Sequence, residues 1–306
     1  MQRNLIMGLA IGYTFEKIKP FVLSLIKCQY KGKLVLIADN NLYIPPEVKM
    51  QLDIDILFEP VFRKTIFKRL LGKLLMQKPA QTAAHNYLQA NIGGFKSKFI
   101  KHFIYLYERQ TARYAYYYNY LINNEVYDKI LITDVRDVVF QQNPFLGLDS
   151  ILAVFREAPG VKLIDQSHNR AWIEQGFGKK VLNQMASEPI FCSGTIMGTY
   201  DGILNFLRAF MKTCIEHKIP LNILGMDQGI FNYMIFCNVI PFAEKYDNGN
   251  IVLTINSELE DKIELENKLL TYNKYTPNIL HQYDRVERFN KSFYSDAYFK
   301  SGQICL

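Results

Sequence analysis

The chain opens on short apolar runs that alternate with segments of helical spacing, and this rhythm restricts the fold more than any other feature. Residues 5–11 are an apolar run that reads as a first strand. Residues 15–30 carry apolar side chains at helical spacing, with Pro20 tolerable only near the first turns. Residues 33–38, Lys-Leu-Val-Leu-Ile-Ala, form a second buried strand ended by Asp39-Asn40-Asn41. Residues 48–52 read as a weak helix and 54–58 as a third short strand. A β-α-β-α-β beginning predicts a parallel sheet with helices on its faces.

The most informative single stretch lies in the middle of the chain, at residues 127–140. An apolar run, Ile130-Leu131-Ile132, ends abruptly in two carboxylates, Asp134 and Asp137, and a second apolar run, Val138-Val139-Phe140, follows. Carboxylates are costly to bury unless they are paired or bind a metal. Two of them at the mouth of a strand, in an α/β pattern, point to a hard divalent cation. Residues three apart on an extended strand face opposite sides, so both reach one ion only if Val135-Arg136 forms a turn or bulge. The bland alternative is a surface turn whose carboxylates pair with Arg136.

A length of 306 residues permits one large domain or two small ones. No repeat, low-complexity linker or sharp boundary divides the sequence, so one continuous α/β domain over 1–306 with a C-terminal extension is the simplest reading. Apolar residues make up 49% and charged residues 21%, the balance of a soluble globular protein. No apolar run reaches the roughly 18–20 residues that span a bilayer. The N-terminal apolar stretch is short and soon meets Thr14, Glu16 and Lys17, which reads as a core strand rather than a signal peptide. The five cysteines are scattered without a CxxC pair, against a disulfide framework or structural zinc and in keeping with a reducing cytoplasm. Cys305 stands next to last, so no prenylation cysteine is in position.

The net charge of +7 suits anionic partners, although a merely soluble basic surface explains it as well. Residues 62–78 place Ile66, Phe67, Leu70, Leu71, Leu74 and Leu75 on one helical face, with Arg63, Lys64, Lys68, Arg69, Lys73 and Lys78 around the rest. Such a helix can lie on an anionic membrane. The preferred reading is a helix packed on the core with a solvated basic face. Residues 98–123 are helical and rich in tyrosine, more in the manner of a core-facing stripe than of a stacking platform. No RNP signature, zinc finger or clustered recognition helix is present, so nucleic acid is not an expected partner.

Further along, residues 152–155 read as a strand and 156–180 as a loop with local structure that holds Asn169 and the sole tryptophan, Trp172. Residues 191–198 are strand-like and broken by two glycines; 204–217 and 226–233 are helical, with Asp227 a plausible N-cap. The stretch after Pro241 looks polar and irregular until 279–284, Ile-Leu-His-Gln-Tyr-Asp.

In this order, the N-terminal βαβ unit, residues 127–144, 191–198, 226–233 and 279–284 resemble a GT-A type nucleotide-sugar glycosyltransferase, similar to glycosyltransferase family 8 and the nucleotide-diphospho-sugar transferases. The resemblance spans most of the chain, from the first strand to about Asp284. It implies a Rossmann-like, mostly parallel sheet with helices on both faces in a single large domain, with 1–140 the nucleotide-binding half and 141–306 the acceptor side and C-terminal extension. It implies Mn²⁺ or Mg²⁺ held by Asp134, Asp137 and His281, the histidine closing the site from a late short strand. The spacing here is DxxD where the family has DxD; Asp137 aligns best. The resemblance also implies a UDP- or GDP-sugar donor seated near Ala10, Ile11, Gly12 and Tyr13, with Asp39, Arg113 and Arg136 available to base, ribose or phosphate. Arg113 reads equally well as a helix-surface charge. Asp227 and Gln228 are expected to face the donor sugar or acceptor, Asp227 as hydrogen-bond partner or general base. Ser193 and Gly194 stand in the family's small-residue strand, where Cys192 replaces an asparagine. Trp172 is expected in an acceptor groove, the acceptor being a glycan or glycoconjugate. His85, His102, His168 and His217 have no comparable context.

The function implied is metal-dependent sugar transfer, cytoplasmic, at the inner face of a membrane if the basic helix docks there. Two other classes stay open. One is a Mg²⁺-dependent phosphatase or nucleotidyltransferase, although Val138-Val139 follow the central motif and residues 11–13 hold only one glycine. The other is a non-catalytic binder of membrane or nucleic acid through its basic surfaces, which would leave Asp137 without a role.

Overall fold

The structure is a computed structural model and describes residues 3–58, 77–157, 159–266 and 268–295. Its centre is a seven-stranded sheet in the order β3-β2-β1-β4-β7-β6-β8. The strands are β1 (Asn4–Leu9), β2 (Lys33–Ala38), β3 (Asp53–Phe58), β4 (Lys129–Thr133), β6 (Leu152–Arg156), β7 (Phe191–Thr199) and β8 (Ala243–Tyr246). Strands β3, β2, β1 and β4 pair in parallel; β7 runs against both β4 and β6, and β8 is parallel to β6. One reversed strand in an otherwise parallel sheet gives a single α/β domain of the Rossmann-like, GT-A type.

Both faces are buried, which is why the first strands read as unbroken apolar runs rather than alternating ones. Leu5, Met7, Val35, Ile37, Ile130 and Ile132 pack toward the helices Ser97–Leu106, Arg109–Ile122, Tyr200–Glu216 and Met226–Phe236. Ile6, Leu34, Leu36 and Leu131 alternate to the opposite face, against Ile18, Phe21, Val22 and Leu25 of the Phe15–Lys27 helix. Pro20 is the sixth residue of that helix, beyond its first turn, so it removes one bond of the i→i−4 ladder.

A smaller three-stranded sheet, β5-β12-β9, stands over the C-terminal end of the parallel strands. It is built from β5 (Val138–Phe140), β9 (Val252–Thr254) and β12 (Ile279–His281), with His281 opposite Val138 on one side and Thr254 on the other. A hairpin of β10 (Ile263–Glu266) and β11 (Leu269–Tyr272) completes the strands described.

Several expectations are corrected. Residues 156–180 hold the helix Ser167–Phe177 and the start of a second, Lys179–Met185. The first buries only Asn169 and Ile173, too thin an apolar stripe to show as helical periodicity. The stretch after Pro241 contains β8, β9, β10 and β11, strands of three or four residues that are too short for a visible period. The helical block at 98–123 is broken at Tyr107-Glu108, where the Glu108 carboxylate caps the second helix by accepting from Gln110 N at 2.8 Å. Asp227 lies within the first turn of its helix, and the N-cap is the left-handed Gly225. The basic segment 62–78 lies outside the described residues except for Gln77 and Lys78, the latter opening the Lys78–Asn91 helix. Among the described residues no helix is long and apolar enough to cross a membrane.

One close approach positions everything that follows. A Cβ on Gly8 in β1 would collide with the Val135 side chain and lie 3.3 Å from Thr133 O. The missing side chain lets buried Val135 drop onto β1, which folds the chain back after β4. Gly8→Ala should therefore destabilise by about 1–3 kcal/mol, as overpacking does, read as a lower urea midpoint with unchanged slope.

Candidate metal centre

Beyond Thr133 the chain leaves the sheet and bends through Asp134-Val135-Arg136 before re-entering as β5. Three contacts hold the bend besides Val135. Asp134 N donates to Gly194 O at 2.8 Å, Gln282 N donates to Asp137 O at 2.7 Å, and Tyr283 Oη donates to Arg136 O at 3.1 Å. The bend removes the opposition that an extended strand would impose on residues three apart. One ligand atom from each of Asp134, Asp137 and His281 lies within 4.8 Å of the others.

The third group arrives from the small sheet. Its antiparallel β5–β12 register sets His281 opposite Val138, the residue after Asp137. His281 is buried, and its Nε2 has no hydrogen-bond partner; Asp134 Oδ2 stands 3.7 Å from it, beyond hydrogen-bonding distance. The wall opposite is Gly194. A Cβ there would stand 2.6 Å from Asp134 Oδ2 and 2.8 Å from His281 Nε2. Two carboxylates, one imidazole nitrogen without a hydrogen-bond partner and a gap kept open by glycine could hold a divalent cation. Gly194→Ala fills that gap. It should weaken Mn²⁺ binding at least tenfold in a calorimetric titration while the folded chain persists, because the crowded atoms are side-chain ends.

Charge is unevenly shared. Burial opposes ionisation of Asp134, but the Arg113 guanidinium outweighs it and holds that carboxyl well below the usual carboxylate range. Burial, with the Asp134 charge adding to it, pushes Asp137 up. Burial also works against an imidazolium at His281, yet Cys192, Asp134 and Asp137 together raise it well above its ordinary value. A proton on this cluster and a cation in it therefore compete for the same groups.

Arg113 is not a surface charge. It is buried beneath the cluster, its Nη1 2.5 Å from Asp134 Oδ1 and its Nη2 2.8 Å from Asp227 Oδ2, and Nη2 also donates to Ser193 O at 3.1 Å. It ties the carboxylate motif to the start of the Met226–Phe236 helix. Burial raises the Asp227 carboxyl, with Arg113 pulling the other way. The next residue, Gln228, clasps the reversed strand: Oε1 accepts from Ser193 N at 2.7 Å, and Nε2 donates to Phe191 O at 3.0 Å and to Glu157 Oε1 at 2.9 Å. Arg136 pairs with Asp137 and Asp284, each at 3.1 Å.

A cleft of about 650 Å³ opens over these residues. Tyr13 borders it beyond the end of β1, and Trp172 borders the far side. Asp134, Arg136, Asp137, Arg113, Ser193, Gly194, Asp227 and Gln228 meet there as well. Ala10, Ile11, Gly12 and Asp39 are not part of its lining. Ala10 is buried in the core, Gly12 is exposed with φ +85°, and the Asp39 carboxylate accepts from Asn41 N at 3.2 Å. Trp172 is both wall and anchor: its Nε1 donates to Leu224 O at 2.9 Å, and its ring occupies the space where Gly225 would carry a side chain.

The cleft also holds residues that sequence reasoning passed over, namely Glu157, Gln166, His168 and Arg285. His168 is corrected from a residue without context to one that stacks on Trp172 at 5.7 Å between ring centroids. The spacing His168-x-x-x-Trp172 was the available signal, and it is invisible while the segment reads as a loop. Glu157 carried the same sign as Asp134, a carboxylate just past an apolar strand. The chain matches no protein-family model and no curated protein.

Proposed function

We propose that this chain transfers a sugar from a nucleotide-diphosphate sugar to a glycan or glycoconjugate, using a divalent cation held by Asp134, Asp137 and His281. The observation that supports it most is the convergence of those three ligands, with an unpartnered imidazole nitrogen, at the mouth of β4 and inside a cleft that reaches from the end of β1 to Trp172. Ligands of open α/β sheets bind beyond the carboxyl ends of the strands. Mn²⁺ or Mg²⁺ bound there supplies a Lewis acid that stabilises the charge of a departing diphosphate.

In this reading the chain's own groups divide the work. Tyr13, at the edge of the cleft, receives base or ribose, while Ala10, Ile11, Gly12 and Asp39 stand outside its lining. Arg136, which shares its guanidinium between Asp137 and Asp284, lies near enough to the cluster to contact phosphate. Arg113 fixes the geometry of Asp134 and Asp227 from below. Asp227, Gln228, Ser193 and Gly194 take the donor sugar, Asp227 through hydroxyl hydrogen bonds or as a base toward the acceptor. Trp172 offers an aromatic edge to the acceptor. The nucleotide side is then largely 1–140 and the acceptor side 141–306, in a cytoplasmic protein that contacts an anionic membrane only if the 62–78 segment docks on one.

A thermal-shift panel of UDP- and GDP-sugars, with and without Mn²⁺, tests this reading. Ligand that binds only the folded state raises the melting point by mass action, so one sugar nucleotide with Mn²⁺ should raise it where neither does alone. No shift with any pairing contradicts it.

A further inference from the structure

The Ser167–Phe177 helix buries only two side chains, and one of them is polar. Ile173 packs into a small core with Leu163, Leu182, Met185 and Ile190. Asn169, one turn earlier on the same face, is 3% exposed and lines the cleft. Its Nδ2 donates to Gln166 Oε1 at 3.0 Å, and its Oδ1 has no hydrogen-bond partner. A buried acceptor left unsatisfied destabilises a fold, so an apolar residue would serve packing better. Gln166 also lines the cleft, and with Oε1 taken by Asn169 its Nε2 keeps two N–H donors. An acceptor and a donor therefore stand side by side on this wall.

The neighbouring aromatics make a shelf. His168 and Trp172 lie one turn apart on the helix, their ring centroids 5.7 Å apart in a stacked arrangement. The Trp172 ring is fixed: its Nε1 donates to Leu224 O at 2.9 Å, and a Cβ on Gly225 or Gly229 would collide with its side chain. Gly225 is held in turn by Gln110, whose Oε1 accepts from Gly225 N at 2.6 Å. A shelf set before a ligand arrives loses little freedom on binding. Gln110, Gln166, His168, Asn169 and Trp172 bring no carboxylate or guanidinium to this wall, whereas Arg113, Asp134, Arg136 and Asp137 crowd the cation side.

Adjacent hydroxyls on a pyranose each donate and accept, which matches an amide acceptor beside an amide donor, and the C–H face of the ring suits an aromatic shelf. A few placed polar groups beside an aromatic surface are what orient a small ligand in a cleft. We infer that Gln166, His168, Asn169 and Trp172 form a subsite for a neutral pyranose, held by two vicinal hydroxyls and separate from the cation. The inference rests on the sugar-transfer reading for its place in the reaction and names the group taken on the acceptor side.

Trp172 is the only tryptophan of the chain, so emission excited beyond the tyrosine band reports on this wall. The full chain in EDTA, titrated with methyl β-glucoside, methyl β-galactoside and methyl α-mannoside, should show a saturable change in emission with at least one of them. Tetrahydropyran, the same ring without hydroxyls, should produce none. Asn169→Ala should weaken the best glycoside about tenfold, in line with one lost hydrogen bond at a buried site. Gln166→Glu keeps an acceptor for Asn169 Nδ2 and removes the amide donors, so it should weaken binding to a similar degree, and it serves where Asn169→Ala fails to fold. No saturable change with any glycoside, an equal change with tetrahydropyran, or affinity unmoved in the folded variants overturns the subsite. A melting temperature lowered in Asn169→Ala with sugar affinity unchanged marks the amide pair as structural and overturns it too. If a nucleotide sugar with Mn²⁺ raises the melting point while no glycoside alters the emission, the subsite alone fails. If glycosides bind and no nucleotide sugar raises the melting point, the sugar-transfer reading fails and the sugar subsite stands.

Discussion

Asp137→Ala should abolish Mn²⁺-dependent sugar transfer and leave the fold at least as stable as before. The two effects separate because of where the carboxylate sits. Asp137 is buried, and burial together with the Asp134 charge makes its ionised form costly. A carboxyl whose folded-state pKa is raised subtracts stability at neutral pH, so removing it relieves the native state. Arg136 keeps Asp284 as a partner at 3.1 Å. The loss of function follows from removing one of three ligands, which should lower Mn²⁺ affinity by more than the roughly 10–100-fold expected from losing an outer partner. His281→Ala should lose binding to a similar degree, with a lower melting temperature from the cavity left in the β5-β12-β9 sheet. Calorimetric titration with Mn²⁺ and a melting curve on each variant separate the two quantities. Metal binding retained in both variants contradicts the ligand assignment.

Arg113→Ala should be the most destabilising change in the cleft. Its guanidinium is the shared cation of two carboxylates, Asp134 at 2.5 Å and Asp227 at 2.8 Å, and it also satisfies Ser193 O. Breaking a buried ion pair by removing one partner costs about 3–5 kcal/mol, because the other charge stays buried without compensation. Here the stranded buried charge is Asp227, whereas the Asp134 side chain is 37% exposed and is partly solvated. Against a typical total of about 5–15 kcal/mol, the variant should unfold at a much lower urea concentration. Arg113→Lys should rescue only part of the loss, since an ammonium lacks the planar fork that spans both carboxylates. Adding Asp227→Asn to Arg113→Ala should recover stability, because one stranded charge is gone. A loss below about 1 kcal/mol in Arg113→Ala, the worth of an exposed pair, shows that the triad is not the buried network described.

The parallel half of the sheet was legible because strands buried on both faces are written as continuous apolar runs, and β1, β2 and β4 stand within a few residues of where the sequence put them. Asp134 and Asp137 stood out for the same reason, as charges at the end of such a run. The sequence also stated the condition for both to serve one ion, a turn at Val135-Arg136, but not its cause. One contribution comes from Gly8, more than a hundred positions upstream, whose missing side chain leaves room for Val135, and a close approach between distant residues leaves no local trace. Arg113 illustrates the same limit. On its own helix it is one more basic residue, and only the packing of the Arg109–Ile122 helix beneath β4 and the Met226–Phe236 helix makes it a buried bridge. The helix Ser167–Phe177 went unseen because a helix that buries two residues carries almost no hydrophobic period. The short strand at 279–281 was expected, but β9 is silent on its own, and the meaning of both comes from the register that aligns Thr254, His281 and Val138.

The most direct test is an anomalous difference map from crystals soaked in Mn²⁺ with UDP or GDP. The account predicts one strong peak within coordination distance of Asp134, Asp137 and His281 Nε2, with the diphosphate on its open side. A peak elsewhere, or none while the nucleotide is bound, contradicts it.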